Sequence, residues 1–181
     1  MIKFDKTFKL HNDYPSVVIK DNIEYKNVVY TNRDFCDAVI KQLSHLFQPD
    51  NTFLEPFRGS GNFYTAMKKY SDNVDWCEIM EGKDFLQYDK KVDWIISNPP
   101  WSNRIGTAPM LHSFDIATNV VYLAPLKAFS TTKKWTYPLL KGFSQPTITP
   151  VSWKDAGLHF MDGKLKGGEG FMLCILYWKK L

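Results

Sequence analysis

The feature that most constrains the fold is an alternation of short apolar segments with segments of helical periodicity. The predicted strands are 52–55, 74–78, 84–86, 92–97 and 120–124, and the predicted helices between them are 63–70, 111–117 and 133–140. Alternating strands and helices predict an α/β fold, in which a parallel sheet is covered by helices on both faces. Two final strands, 148–153 and 171–178, are joined by the glycine-rich segment 162–170, which predicts a closing hairpin and one antiparallel strand.

A further helix precedes the first of these strands and begins near Thr31. Thr31 is the predicted N-cap, with Asp34 three residues later at the capping-box position. Phe35, Val39 and Leu43 form one apolar stripe on this helix. Residues 1–29 are predicted to form an N-terminal arm, and residues 30–181 a single domain.

Composition excludes several classes of protein. The 181 residues fit one domain, and the net charge of +4 is a mild preference for an anionic partner. The three cysteines contain no CxxC pair, and no two of the four histidines are spaced i,i+4, so neither a metal site nor a disulfide framework is expected. The sequence predicts no signal peptide and no membrane span. Reduced thiols favour a cytoplasmic location, or the cytoplasm or nucleoid of a host cell if the protein is viral.

The residues that suggest chemistry follow the carboxyl ends of predicted strands, where ligands bind in such sheets. Strand 52–55 runs into a loop with two glycines, which allow close approach of a ligand, and then into a helix start. A dinucleotide fingerprint is not completed, because Tyr64 stands where its third glycine would be. The predicted binding residues in this segment are Glu55, Pro56, Phe57, Gly59 and Gly61.

Acidic residues also lie at the next two predicted strands. Glu78, at the end of strand 74–78, is placed to accept hydrogen bonds from ribose hydroxyls. Asp84 and Phe85 could bind an adenine amino group and pack on its ring. The alternative interpretations are a solvated charge for Glu78, and an ordinary loop acid beside a core phenylalanine for Asp84 and Phe85.

The most specific feature is the tetrapeptide Asn98-Pro99-Pro100-Trp101, directly after the apolar strand 92–97. Two prolines fix two φ angles and remove two donors, so the backbone is stiff. The Asn98 side chain and the Pro99 carbonyl can then accept both hydrogens of one –NH₂ group, drawing its nitrogen toward tetrahedral geometry. Trp101 offers a face on which a base can stack. The structural alternative is a stiff turn after a buried strand.

Together these segments resemble the class I S-adenosylmethionine-dependent methyltransferases, specifically those that methylate the N6 amino group of adenine in DNA. The glycine loop, Glu78, the Asp84-Phe85 pair and the NPPW tetrapeptide are similar to that family's motifs and occur in its order. Tyr30-Thr31 is similar to the N-terminal cofactor segment, in which the threonine helps to hold the methionine carboxylate, although Asn32 replaces the usual proline. The resemblance implies a Rossmann-like, seven-stranded, mostly parallel sheet with one antiparallel strand. It also implies S-adenosylmethionine as cofactor, bound by Thr31, Asn98 and the loop and acidic residues above.

The resemblance places several basic side chains on the same side as the tetrapeptide, where they would contact nucleic-acid phosphates. With Trp101, the predicted nucleic-acid-binding residues are Arg104, Lys127, Lys133, Lys134, Lys164 and Lys166. No segment is long enough for a separate target-recognition domain, so recognition is minimal, or a partner subunit or a second copy supplies it, or the acceptor is not duplex DNA. Three alternatives stay open: methylation of RNA adenine, methylation of a glutamine amide, and a non-catalytic binding protein of the same fold.

Overall fold

A mixed sheet forms the centre of the computed structural model, which describes residues 29–100, 107–129, 131–160 and 172–181. The strands are β1 (Val29–Tyr30), β2 (Phe53–Glu55), β3 (Val74–Trp76), β4 (Val92–Ser97), β5 (Ala117–Pro125), β6 (Thr147–Val151), β7 (His159–Phe160) and β8 (Leu173–Lys179). The helices are α1 (Arg33–Leu43), α2 (Asn62–Met67), α3 (Thr107–Ile116), α4 (Thr132–Leu140) and α5 (Trp153–Ala156).

Six strands pair in the order β3-β2-β4-β5-β8-β6, and β8 runs antiparallel to both of its neighbours. The other five strands are parallel to one another, because β2 pairs in parallel with β3 and β4, and β4 with β5. The predicted α/β fold with a mostly parallel sheet and one antiparallel strand is therefore confirmed. Within the described residues the sheet has six strands rather than seven.

The missing strand is the very short one predicted at 84–86. Residues Phe85–Gln87 form a 3₁₀ turn instead, and the Asp84 carboxylate caps it by accepting a hydrogen bond from the Leu86 amide at 2.9 Å. Aspartate competes for local amides in this way, which favours a turn over an extended segment.

Helices cover both faces of the sheet, as predicted. On one face, α1 and α2 pack Cys36, Ile40 and Met67 against Phe53 and Trp94 of the sheet. On the other face, α3 packs residues such as Met110 and Phe114 against the opposite side of the same strands, with Trp178 of β8. Each such large apolar side chain contributes about 1.5–3 kcal/mol on burial. The two cores hold the carboxyl ends of β2 and β4 in one rigid edge.

The chain entering α1 is held by a small second sheet that the sequence analysis did not predict. β1 pairs antiparallel with β7, with Tyr30 opposite His159. The Asn32 amide donates to the Ala156 carbonyl at 3.1 Å. The predicted Thr31 cap of α1 is wrong: Asn32 is the N-cap, and its side chain accepts from the Asp34 and Phe35 amides. Asp34 therefore lies in the first turn rather than at the capping-box position.

Several element boundaries also differ from the sequence prediction. The predicted strand 148–153 ends at Val151, and Trp153 begins the short helix α5. Helix α3 begins at Thr107, four residues before the predicted start, and β5 takes over at Ala117. The predicted loop 162–170 and the arm before residue 29 lie outside the described residues. Among the helices that the structure does describe, none combines the length and apolar character needed to cross a membrane.

Candidate functional site

The ends of β2 and β4 meet through a buried carboxyl group. Glu55 ends β2, is 1% exposed, and accepts hydrogen bonds from the Ser97 hydroxyl at the end of β4 and from the Phe57 amide at 3.4 Å. Burial raises the pKa of the Glu55 carboxyl well above its usual range, while the bond from Ser97 opposes the rise. The Glu55 carboxyl group thus connects the end of β2 to the end of β4.

The raised pKa of Glu55 predicts how the stability of the protein changes with pH. Because its pKa is raised on folding, the folded protein binds the proton more tightly than the unfolded chain. The free energy of unfolding that Glu55 contributes therefore falls as pH rises from the usual carboxyl pKa through the raised one. We expect Glu55→Gln to raise Tm relative to wild type above neutral pH and to lose that advantage in mildly acidic buffer. Thermal denaturation across pH measures this.

The exposed Asp89 supplies the control for this measurement. Asp89→Asn removes an exposed negative charge instead of a buried one, so its Tm relative to wild type measures the effect of the lost charge without the burial. A Glu55→Gln advantage that is the same in acid and in base would show that Glu55 titrates as an ordinary carboxyl group.

The glycine loop after β2 is held by Glu78. Gly59 and Gly61 have φ angles of +50° and +81°, a backbone conformation that residues other than glycine rarely adopt. The Gly59 amide donates to one Glu78 carboxylate oxygen at 2.7 Å, and the other oxygen accepts from the Met80 amide at 3.1 Å. A Cβ at Gly59 would lie 3.0 Å from the Cε1 atom of Tyr30. The loop thus passes closely between β1 and Glu78, which lies two residues after the end of β3.

Phe85 forms the aromatic side of this region. Its ring lies 5.5 Å from the Phe57 ring, edge to face, and 5.0 Å from the His112 ring. Phe85 is 1% exposed, so it forms a wall rather than an open stacking face. Asp84 is half-buried beside it.

The Asn98 side chain leaves one buried acceptor unused. Its Nδ2 atom donates to the Thr31 hydroxyl oxygen at 3.0 Å and to the Val29 carbonyl oxygen at 3.4 Å. Its Oδ1 atom is buried and has no hydrogen-bond partner in the described part of the chain. Pro99 is buried and Pro100 half-buried directly after it. An unpaired buried acceptor lowers the stability of the fold by about 1–3 kcal/mol. A ligand that donates a hydrogen bond to Oδ1 would recover this free energy.

Thr31 connects the two halves of the site. It is 5% exposed; its hydroxyl accepts from Asn98, and its carbonyl oxygen accepts from the Asn62 side chain at 2.8 Å. Asn62 begins α2, immediately after Gly61. Direct contacts therefore join the predicted residues into one edge: Thr31 with Asn98, Gly59 with Glu78, and Phe57 with both Glu55 and Phe85.

Sequence reasoning missed Ser97 and Asn62, which hold this arrangement together. Ser97 is 0% exposed at the end of β4, directly after the apolar pair Ile95-Ile96, and a polar residue in that position was the available signal. Asn62 gave no signal, because its partner is the backbone of a residue 31 positions away.

The predicted basic residues divide into two groups. Lys127 and Lys133 are exposed, in the 3₁₀ turn after β5 and at the start of α4. Lys134 is buried, at 1% exposure, and its Nζ atom donates to the Ala128 carbonyl at 2.8 Å. The prediction that Lys134 contacts phosphate is therefore wrong, because its ammonium points into the protein. The other predicted residues of this set lie outside the described residues: Trp101, Arg104, Lys164 and Lys166.

Comparison with solved structures shows what kind of protein has this fold. A candidate RNA methyltransferase from Pyrococcus horikoshii superposes with a TM-score of 0.62, at 18% identity, over 90% of this chain and 91% of its own. The fold is that of a Rossmann-like methyltransferase. The modification subunit of a candidate type I restriction enzyme from Vibrio vulnificus matches with a TM-score of 0.55 and 14% identity, over 84% of this chain and 44% of that subunit.

A third structure was solved with a bound cofactor. Magnesium protoporphyrin IX methyltransferase from Synechocystis, with S-adenosylmethionine bound, matches with a TM-score of 0.51 and 13% identity, over 99% of this chain and 87% of its own. No protein-family model and no curated protein matches the sequence. At these identities the likeness establishes the fold, and the residues of the site carry the argument for function.

Proposed function

We propose that this protein transfers the methyl group of S-adenosylmethionine to the exocyclic N6 amino group of adenine in DNA. The observation that carries the proposal is the buried Oδ1 atom of Asn98, directly after β4, which has no hydrogen-bond partner among the described residues. It stands at the start of a two-proline segment and across from the glycine loop, with Thr31 between them. A buried acceptor in that position is suited to a donor amine.

The residues at this edge fit S-adenosylmethionine. Thr31 and Glu55 would hold its carboxylate and ammonium, because one offers a hydroxyl and the other a buried carboxyl group. Glu78 would accept from the ribose hydroxyls, and Asp84 with Phe85 would border the adenine. The positive φ of Gly59 and Gly61 keeps side chains off the loop, so the backbone can come close to the cofactor. The bound cofactor supplies a methyl group that is already activated by its sulfonium.

The acceptor chemistry follows from the tetrapeptide. The adenine amino nitrogen is a poor nucleophile because its lone pair is delocalised into the ring. Asn98 Oδ1 and the Pro99 carbonyl would accept its two hydrogens, favour tetrahedral geometry and stabilise the positive charge that develops on nitrogen. One of these hydrogens leaves as a proton once the new N–C bond has formed.

A nucleic acid fits the surroundings better than a protein amide does. Lys127 and Lys133 are exposed at the same end of the sheet, the net charge is +4, and Trp101 follows the prolines as a stacking group for an extruded base. RNA is the second candidate, because it presents the same amino group and the similar P. horikoshii protein is a candidate RNA methyltransferase. A partner subunit or a second copy would supply target recognition, as the similarity to a modification subunit supports.

Transfer of a tritiated methyl group tests the proposal. Purified protein is incubated with labelled S-adenosylmethionine and, separately, single-stranded DNA, duplex DNA, RNA and a glutamine-containing protein extract. We expect label in DNA, recovered as N6-methyladenine after digestion. Label confined to RNA or to protein would show that this molecule, and not DNA, is the methyl acceptor. No transfer to any acceptor, combined with no cofactor binding by calorimetry, would identify a non-catalytic relative.

The two exposed lysines make a prediction about DNA affinity. We expect Lys127→Gln with Lys133→Gln to flatten the slope of log K against log salt by about 1.4–1.8, since each phosphate contact contributes about 0.7–0.9. Lys134→Met, the matched control, should leave the slope unchanged because Lys134 is buried. Fluorescence anisotropy over a salt series measures both. An unchanged slope in the double variant would show that these lysines are solvated rather than bound to phosphate.

A further inference from the structure

The Asn98 amide can stand in two orientations, which exchange its oxygen and its nitrogen. The amino group of the methyl acceptor donates hydrogen bonds, so it needs the amide oxygen of Asn98 to face it. In the structure Nδ2 is turned toward Thr31 and the Val29 carbonyl, and Oδ1 is left without a partner in the described part of the chain. What holds this orientation decides whether the site can accept an amine at all.

The two neighbours of Nδ2 differ in what they allow. The Val29 carbonyl only accepts, so at 3.4 Å it favours the orientation observed. The Thr31 hydroxyl can donate as well as accept, so by itself it fits either orientation. The Thr31 hydroxyl favours one orientation of the Asn98 amide only when its own hydrogen is donated to another acceptor. Within the described residues the Thr31 hydroxyl donates no hydrogen bond, which leaves that hydrogen for a ligand.

Thr31 is fixed in place and borders the glycine loop. Its carbonyl oxygen is bound by Asn62 at the start of α2, and the amide of its neighbour Asn32 donates to the Ala156 carbonyl at the end of α5. A Cβ at Gly157 would come within 2.7 Å of the Asn32 Cβ, so this junction is tightly packed. Thr31 therefore cannot shift far to adapt to a ligand, and what can change is the direction of its hydroxyl hydrogen.

We propose that Thr31 is a positioning residue that couples cofactor binding to the orientation of Asn98. The inference rests on the proposed function. The carboxylate of the cofactor accepts the Thr31 hydroxyl hydrogen, which leaves the hydroxyl oxygen as an acceptor only. Nδ2 then keeps its place against Thr31 and Val29, and Oδ1 is presented to the acceptor amine. The cofactor thus organises the amine site before the amine binds.

The test compares two ligands and two variants. A fluorescent single-stranded oligonucleotide containing adenine is titrated alone, with saturating S-adenosylhomocysteine, and with saturating 5′-methylthioadenosine, which lacks the carboxylate. For wild type and Thr31→Ser, which keeps the hydroxyl, we expect S-adenosylhomocysteine to tighten oligonucleotide binding about tenfold. Methylthioadenosine should not tighten it. Thr31→Val, which keeps the shape and loses the hydroxyl, should lose the tightening and most of kcat.

Two results would overturn the coupling: full tightening in Thr31→Val, or equal tightening by both ligands in wild type. The second comparison uses wild type alone, so it decides the matter even if Thr31→Val fails to fold by circular dichroism. Wild type that binds neither ligand and transfers no methyl group would overturn the proposed function as well. Normal methyl transfer with uncoupled binding would remove only the role of Thr31.

Discussion

Asn98→Ala should lower methyl transfer by at least about a hundredfold, the loss typical of removing one preorganised group that stabilises developing charge. The variant loses the Oδ1 atom, which is buried without a partner in the described residues and which we assign to the acceptor amine. Cofactor affinity should change little, because the glycine loop, Glu55 and Glu78 are untouched. Single-turnover transfer and calorimetry with S-adenosylhomocysteine separate the two effects.

Asn98→Asp is the matched comparison, since it keeps an acceptor oxygen in place and removes the donor toward Thr31. We expect it to retain more transfer than Asn98→Ala at equal cofactor affinity. Wild-type turnover in Asn98→Ala would remove Asn98 from the mechanism. A parallel loss of cofactor affinity and transfer would instead make Asn98 a cofactor ligand alone.

Gly61→Val should weaken cofactor binding by more than about a hundredfold, equivalent to about 2.7 kcal/mol. Gly61 has φ +81°, and among the described residues a Cβ there would meet only the Arg58 Cγ atom, at 3.9 Å. The added side chain would therefore project into open space at the loop, where the cofactor must approach. Part of the effect is backbone strain of about 1–3 kcal/mol, which lowers stability as well.

A valine variant of Gly142 separates the effect of backbone strain from the effect of blocking the cofactor. Gly142 has φ +80°, no atom of the described part of the chain lies within 4 Å of an added Cβ, and it follows α4, away from the loop. Gly142→Val should lose a similar amount of stability and keep its cofactor affinity. Affinity that survives in Gly61→Val, or that falls equally in both variants, would show that the cofactor does not lie on this loop.

The sequence predicted those parts of the fold that have a local cause. The apolar run of β4 and the glycine loop after β2 are visible in the chain itself, and the parallel sheet follows from their alternation with helices. The segment after Asp84 was predicted wrongly, because one side-chain hydrogen bond to the Leu86 amide decides between turn and strand. Such a short segment carries too little periodicity to show this.

The remaining misses depend on contacts between distant residues. Both Thr31 and Asn32 are good helix caps, but the Thr31 hydroxyl is bound by the distant Asn98, and the Asn32 side chain accepts from the first amides of α1. Lys134 was predicted at the surface with Lys133, and its burial becomes visible only once α4 is packed with the Ala128 carbonyl nearby. The sequence predicts which strand ends carry the candidate site, whereas the contact between Thr31 and Asn98 is visible only in the structure.

A crystal structure with S-adenosylhomocysteine tests the central claim most directly. The proposed arrangement predicts the ligand along the Gly59–Gly61 loop, with its ribose at Glu78, its carboxylate at the Thr31 hydroxyl, and its sulfur turned toward Asn98. Ligand density remote from residues 98–100, in crystals where the loop is accessible, would contradict the claim that this edge performs methyl transfer.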